Sequence, residues 1–229
     1  MSKVYIPSSG PGDWQQFLAE PEKQWRRGFS ARTVAHSWES ANGLPPEVEA
    51  LFVKSGVDGF QEVELLIAIP EHKVPLPPIR GHPSQNDVFA LAKGAHGQLI
   101  ALAVEAKVAE PFGPTFDEWR ANTTPGKTER EEFLRSKLGL KDRAIGSIRY
   151  QLMHRLASAL LEAERFNAGH AALIVHSFSQ QDEWFDDFAS FLALYGAKGH
   201  IGELVRLGVF GQVPTYAGWV RGDKRFLDA

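Results

Sequence analysis

Residues 98–108 read Gln-Leu-Ile-Ala-Leu-Ala-Val-Glu-Ala-Lys-Val, an apolar run with two opposite charges in its last third. No other stretch constrains the fold as much. The run has the character of a buried strand, and the side chains of a strand alternate between its two faces. Glu105 and Lys107 therefore project from one side, beyond Ala101 and Ala103, whose small side chains leave room above the strand. Ile100, Leu102, Val104 and Val108 line the other side. A carboxylate and an ammonium at the end of an apolar strand are costly unless paired or bound to an ion. The fold has to bring partners to them.

The apolar run 88–92 reads as a second strand, with Asp87 at its start. Gly94 and Gly97 mark a tight connection that suits a hairpin into the central strand. In a hairpin the early part of one strand pairs with the late part of the next, which sets Asp87 beside Glu105 and Lys107. Carboxylates converging on one spot repel each other and readily bind Mg²⁺ or Mn²⁺, hard cations that prefer oxygen ligands. Such an ion lowers the pKa of a coordinated water and neutralises charge building on a phosphate. Lys107 is then suited to orient the attacking water or to stabilise the pentavalent transition state.

Composition narrows the classes. A chain of 229 residues with 43% hydrophobic content can bury one sizeable core as a single domain. A net charge of −3 gives no global basic field, so a nucleic acid would have to be held by local patches. The absence of cysteine rules out disulfides and thiolate metal sites. Residues 1–7 contain no apolar leader core, and no run approaches the length of a membrane span. The expectation is a cytoplasmic protein with no membrane partner; the sequence permits a homo-oligomer.

Residues 1–58 form an expected helical extension, with helices opening near Asp13, Ser30 and Pro46. Arg26, Arg27 and Arg32, close to Trp25 and Trp38, read as stems covering apolar surface. Residues 61–69 keep helical spacing up to Pro70, although a strand is equally open for the second half. Glu64, within that apolar segment, is a candidate auxiliary acid. The prolines of 74–79 allow only irregular chain or an edge strand. Residues 116–120 and 127–137 read as solvated helices with paired charges. Gly126-Lys127-Thr128 is not a phosphate-cradling loop, because Ala121 stands where the earlier glycine is needed.

The clearest helix is 147–166, with a stripe of Ile148, Leu152, Leu156, Leu160 and Ala163 suited to packing on a sheet. Gln151 lies at the stripe's border, where it can reach over a sheet edge to a metal-bound water or a phosphate. Arg149 and Arg155 are candidates for holding substrate, whereas His154 reads as a surface histidine. Asn167 closes the helix. Residues 171–178 then form a buried strand, parallel to one already in the sheet through the crossover. His176 within it reads as a core histidine satisfied by a backbone group. Residues 183–195 make an amphipathic helix, 203–220 one or two strands, and Arg221, Lys224 and Arg225 a solvated basic tail.

Asp87, then seventeen residues, then Glu105-Ala106-Lys107 resembles the bipartite motif of the PD-(D/E)XK nuclease superfamily, the restriction-endonuclease-like fold. The proline that precedes the acid in that family is absent; Asn86 stands there, and the nearest proline is Pro83. A glutamine such as Gln151 recurs in the branch that includes lambda exonuclease, with a tyrosine four residues on where this chain has Arg155. The segment 64–179 is also similar to an uncharacterised bacterial family placed in that superfamily. The resemblance implies an α/β fold whose core, residues 60–180, has a mixed central sheet built from a helix, three antiparallel strands, a helix and a strand. Helices flank the sheet, residues 1–58 precede the core, and a helix and strands (181–229) follow it. The implied activity is Mg²⁺- or Mn²⁺-dependent hydrolysis of phosphodiester bonds, with DNA as partner. Asp87 and Glu105 would be the metal ligands, Lys107 would stand at the water, Glu64 would be an auxiliary acid, and Gln151 would position water or phosphate. The alternative is an inactive scaffold that keeps the fold for binding or regulation, since fold does not fix function. A decayed nuclease would lose the acid or the lysine first, and all three are present. A purely structural Glu105–Lys107 pair would leave Asp87 unexplained.

Overall fold

The computed structural model describes residues 8–79 and 81–229. The reading of the N-terminus rests on residues 1–7, which lie outside the described residues. Among these residues, six strands form one mixed sheet: β1 (Glu64–Val74), β2 (Ser84–Lys93), β3 (Leu99–Lys107), β4 (His170–Ser177), β5 (Leu204–Phe210) and β6 (Val213–Arg221). Their spatial order is β1-β2-β3-β4-β6-β5. The β1–β2, β2–β3 and β5–β6 pairs are antiparallel, while β3–β4 and β4–β6 are parallel. Among the described residues, seven α-helices surround it: α1 (Pro21–Gln24), α2 (Ser30–Ala41), α3 (Pro46–Lys54), α4 (Phe116–Arg120), α5 (Pro125–Lys137), α6 (Tyr150–Phe166) and α7 (Phe185–Ala193).

The alternation read in residues 98–108 divides the two layers of core. Ala101 and Ala103 face Leu152, Leu156, Ala159 and Leu160 of α6, joined by Phe188 and Phe191 of α7 and by Trp219. Ile100, Leu102, Val104 and Ala106 face Val34 and Trp38 of α2 and Val48, Leu51 and Phe52 of α3. The two alanines allow α6 to lie close against the sheet. That helix ends at Asn167 in the left-handed conformation (φ 52°), whose N–H bonds back to Ala163 O and Glu164 O. The crossover through α6 sets β4 parallel to β3, as the strand-helix-strand pattern requires. The hairpin between β2 and β3 is closed by Gly94 N–H donating to Gln98 O at 3.0 Å, with Gly97 at φ 77°. A Cβ on Gly94 would lie 1.9 Å from Gly59 O.

Three expectations are corrected. Residues 61–69 are not a helix: from Glu64 onward they belong to β1, an edge strand. An edge tolerates Pro70, which lacks a ladder donor. A register shift between Leu65 and Ile67 turns Leu66 outward, 45% exposed, and mimics helical spacing in the sequence. The helix that precedes the three antiparallel strands is therefore α3. Second, Arg130 is buried rather than on a solvated face of α5. It donates to Pro77 O, to Leu76 O at 3.2 Å, to His82 O at 2.8 Å and to the Tyr150 hydroxyl at 3.0 Å, and so fastens the proline-rich turn after β1. Third, His176 is satisfied by side chains. Trp38 Nε1–H donates to its Nδ1 at 3.3 Å and its Nε2 meets Glu47 at 2.7 Å. The basic tail is also partnered, Arg221 by Asp182 and Arg225 by Asp223.

The close approach of α6 to β3 gives a stability prediction. Ala103→Leu would force bulk into a filled layer and lower unfolding free energy by about 1–3 kcal/mol, read by urea denaturation. An unchanged midpoint would mean that α6 does not seat on β3 as described.

Candidate active site

Register brings three acids abreast at one end of the sheet. Val88 pairs with Val104, so Asp87 stands opposite Glu105 one step further along. Pro70 pairs with Val88 and His72 with Asn86, which puts Glu71 opposite Asp87. Residues directly opposite in antiparallel strands share a face. Glu71, Asp87 and Glu105 thus occupy three neighbouring strands on the α6 side. Glu71 is held at φ 52°, a conformation that a long side chain adopts only at a cost.

Two cations from different elements answer these acids. Lys107 Nζ lies 2.6 Å from Glu105 Oε1, and Arg155 Nε, from α6, lies 2.5 Å from Glu105 Oε2. All three of these side chains are buried. Asp87 Oδ2 accepts the backbone N–H of Ala106 at 2.7 Å. Glu71 Oε2 accepts the amide of Gln85 at 2.7 Å. Three carboxylates against two cations leave one negative charge uncompensated.

The acids titrate accordingly. Burial raises the pKa of Asp87 well above the usual range, and Glu105 and Glu71 add to this. Glu71 is pushed up to about 7, first by burial and then by Glu105, against the pull of Gln85 and Arg155. Burial also raises Glu105, but Arg155 and Lys107 outweigh it and hold the carboxyl below its ordinary value. One proton shared among the outer acids balances the cluster; a cation would do so as well.

Of these groups, Lys107, Arg155 and Gln85 line a cleft of about 420 Å³ between α6 and the turn 111–114. Gln151 Oε1 accepts from Lys107 at 3.3 Å across it, and the Lys107 ammonium sits 5.0 Å from the centre of the Phe112 ring. Of the candidates read from the sequence, Asp87, Glu105, Lys107, Gln151 and Arg155 are brought together. Glu64 is not. It begins β1 opposite Lys93, pairs with it at 2.5 Å and is 59% exposed. Seven residues of strand, about 23 Å, separate it from Glu71. Arg149 also stays outside: it pairs with Asp187 at 2.9 Å and donates to Gly113 O at 2.8 Å, bracing the turn beside the cleft. His154, expected at the surface, instead lines the cleft half-buried.

Among the described residues, no group of three or more His, Asp or Glu side chains converges as a ready-made metal cage. Asp87 and Glu105 nonetheless offer hard oxygen donors, and each carboxylate oxygen has two lone pairs. The hydrogen bonds already made do not exhaust them. Mg²⁺ commonly takes one or two carboxylates and completes its shell with water and substrate oxygens.

A family model described as a domain of unknown function, DUF6946, matches residues 7–224. The chain belongs to the DUF6946 family. No curated protein and no solved structure matches it. The site residues of this DUF6946 chain, from Glu71 to Arg155, all fall within the matched span. Glu71 and Gln85 are the members that the sequence reading missed. Treating 61–69 as a helix drew attention to Glu64. Counting back through a β1–β2 pairing would have reached Glu71 instead.

The excess charge predicts how stability changes with pH. Asp87 and Glu71 bind protons more readily in the folded chain than in the unfolded one. Each therefore destabilises the metal-free protein as pH rises above the ordinary carboxylate range, for Glu71 between roughly 4.5 and about 7. Metal-free Asp87→Asn should be more stable than the parent at about pH 8, by on the order of 1 kcal/mol, or about 2–4 °C. The gain should vanish near pH 4. Thermal melts across that range check it, and a destabilised variant at pH 8 would mean that the charge is already balanced.

Proposed function

We propose that this chain is a metal-dependent phosphodiesterase acting on nucleic acid, with DNA as the favoured substrate. One observation carries the reading. Asp87 stands abreast of Glu105, with Lys107 two residues on along the same strand face, and all three lie under Gln151 and Arg155 of one helix. The element order supports it: α3, then antiparallel β1, β2 and β3, then α6 and β4, with the aspartate on the second strand and the Glu-Ala-Lys triplet on the third. This is the order that the PD-(D/E)XK resemblance implies.

In this reading Asp87 and Glu105 would hold Mg²⁺ or Mn²⁺, which when bound supplies an activated water and counter-charge for the phosphate. The remaining roles belong to the chain. Lys107 is fixed between the Glu105 carboxylate and the Gln151 carbonyl oxygen, so its ammonium is aimed rather than mobile. An aimed cation in a water-poor cleft stabilises charge as it develops on a phosphoryl group. Gln151 keeps its amide N–H₂ for a water or a phosphate oxygen while its carbonyl holds Lys107. Arg155 holds Glu105 from the helix side and keeps that carboxylate ionised. Glu71 replaces Glu64 as the auxiliary acid, on the far side of Asp87.

A second reading, a non-cutting scaffold, draws support from Glu105 itself, whose two oxygens are both engaged by cations of the chain. The readings part on two measurements. With Mg²⁺ or Mn²⁺ and a panel of single- and double-stranded DNA and RNA, the phosphodiesterase should cut at least one substrate. Lys107→Ala should reduce the rate by about 100-fold or more while circular dichroism stays unchanged. Equal cleavage by wild type and variant, or no cleavage together with no heat of Mn²⁺ binding, would favour the scaffold.

A further inference from the structure

His154 is a polar group of the cleft with no part in the roles above. It lies one residue before Arg155 on α6 and shares the cleft with Lys107 and Gln151. Its Nδ1 is surrounded by donors. Arg155 Nη1 approaches it at 3.3 Å, and the buried Ser84 hydroxyl lies at 2.8 Å. Ser84 Oγ in turn accepts from Arg155 Nη1 at 3.1 Å, and its own hydrogen is shared between the ring and the His154 backbone carbonyl at 3.3 Å, so the Arg155 contact decides the role of Nδ1. A guanidinium has no lone pair to offer, so Nδ1 must be the unprotonated, accepting nitrogen. In a neutral ring the proton then belongs to Nε2. Nε2 has no partner among the described residues. The ring is also fixed in place, with Tyr150 packed at 4.8 Å between centroids and itself stacked on Trp119 at 4.2 Å.

We infer that His154, held as the Nε2–H tautomer, donates a hydrogen bond to a phosphate oxygen bound in this cleft. The inference deepens the phosphodiesterase reading and rests on it. The lining of the cleft favours an oxyanion as ligand: the Lys107 ammonium, the Arg155 guanidinium and the Gln151 amide face the same space, and a neutral N–H adds direction without adding charge. Burial and the nearby cations Arg155, Arg130 and Lys107 push His154's affinity for a proton well below the ordinary histidine range, so the ring keeps one N–H when the cleft is empty. Ser84 is a positioning residue, because it acts only through the ring.

The test reads the tautomer and the ligand contact separately from cleavage. Long-range ¹⁵N–¹H spectra of the ¹⁵N-labelled full chain, in chelator at neutral pH, identify the His154 ring as the signal absent from His154→Gln. The expected pattern is Nε2 protonated and Nδ1 not. Titrating inorganic phosphate should shift Nε2, and a trinucleotide lacking terminal phosphates tests an internal diester in the same way. Whichever probe shifts the ring names the source of the phosphate. His154→Ala should weaken binding of that probe by about tenfold, the worth of one hydrogen bond to a charged group. His154→Gln, which restores a donor, should recover most of it. An Nδ1–H ring, an imidazolium, a ring unmoved by both probes, or a glutamine variant as weak as alanine would each overturn the proposal. Should His154→Ala fail to fold, the wild-type spectra and the glutamine variant still decide. Failure of the phosphodiesterase reading looks different: phosphate would contact His154, but no Mg²⁺- or Mn²⁺-dependent cleavage would appear.

Discussion

Three carboxylates and two cations are packed into the end of a sheet from which α6 excludes most water. The acids come from adjacent strands because antiparallel register allows nothing else: once Val88 pairs with Val104 and Pro70 with Val88, Asp87 has an acid on either side. Burying like charges together is unfavourable unless each is answered. Glu105 is answered twice, by Lys107 from its own strand and by Arg155 from the helix above. Asp87 accepts a backbone N–H and Glu71 an amide, while Arg155 acts on both without an ion-pair contact. The cluster is thus stable as a protonated or cation-bound assembly and strained as a bare one.

The rest of the molecule keeps this cluster at one height. Ala101 and Ala103 let α6 approach β3 closely, which is what allows Arg155 and Gln151 to reach down to Glu105 and Lys107. Arg130 fastens the turn between β1 and β2 to α5 and to Tyr150, so the strands carrying Glu71 and Asp87 enter the sheet at fixed positions. Arg149 and Asp187 brace the opposite wall, where the turn 111–114 closes the cleft. On the far face, Trp38 and Phe52 belong to the apolar cluster that also buries Val104 and Ala106.

Local pattern was enough for some of this and misleading for the rest. The alternation in 98–108, with charges only near its end, identifies β3 and the face of its site residues. The glycines of 94–97 identify the hairpin that aligns Asp87. Glu71 was missed because Leu65 to Ile69 satisfies helical and extended spacing alike; the outward bulge at Leu66 is invisible without a partner strand. Arg130 resembles its charged neighbours on α5, and only the carbonyl groups of the 76–82 turn make it a buried latch. His154 looks like a surface residue until Ser84, seventy positions away, is found against its Nδ1.

The amino-acid sequence by itself settled that Glu105 and Lys107 enter the core on one face of β3, that Asp87 opens the strand before it and that α6 follows, because periodicity and turn chemistry are local properties. Tertiary structure alone decided which acid joins Asp87 and Glu105, which cation pairs with which carboxylate, and which donors surround the His154 ring. Those outcomes depend on distances of 3 Å or so between residues far apart in the chain. Strand register and helix seating fix such distances, and no short window of sequence contains them.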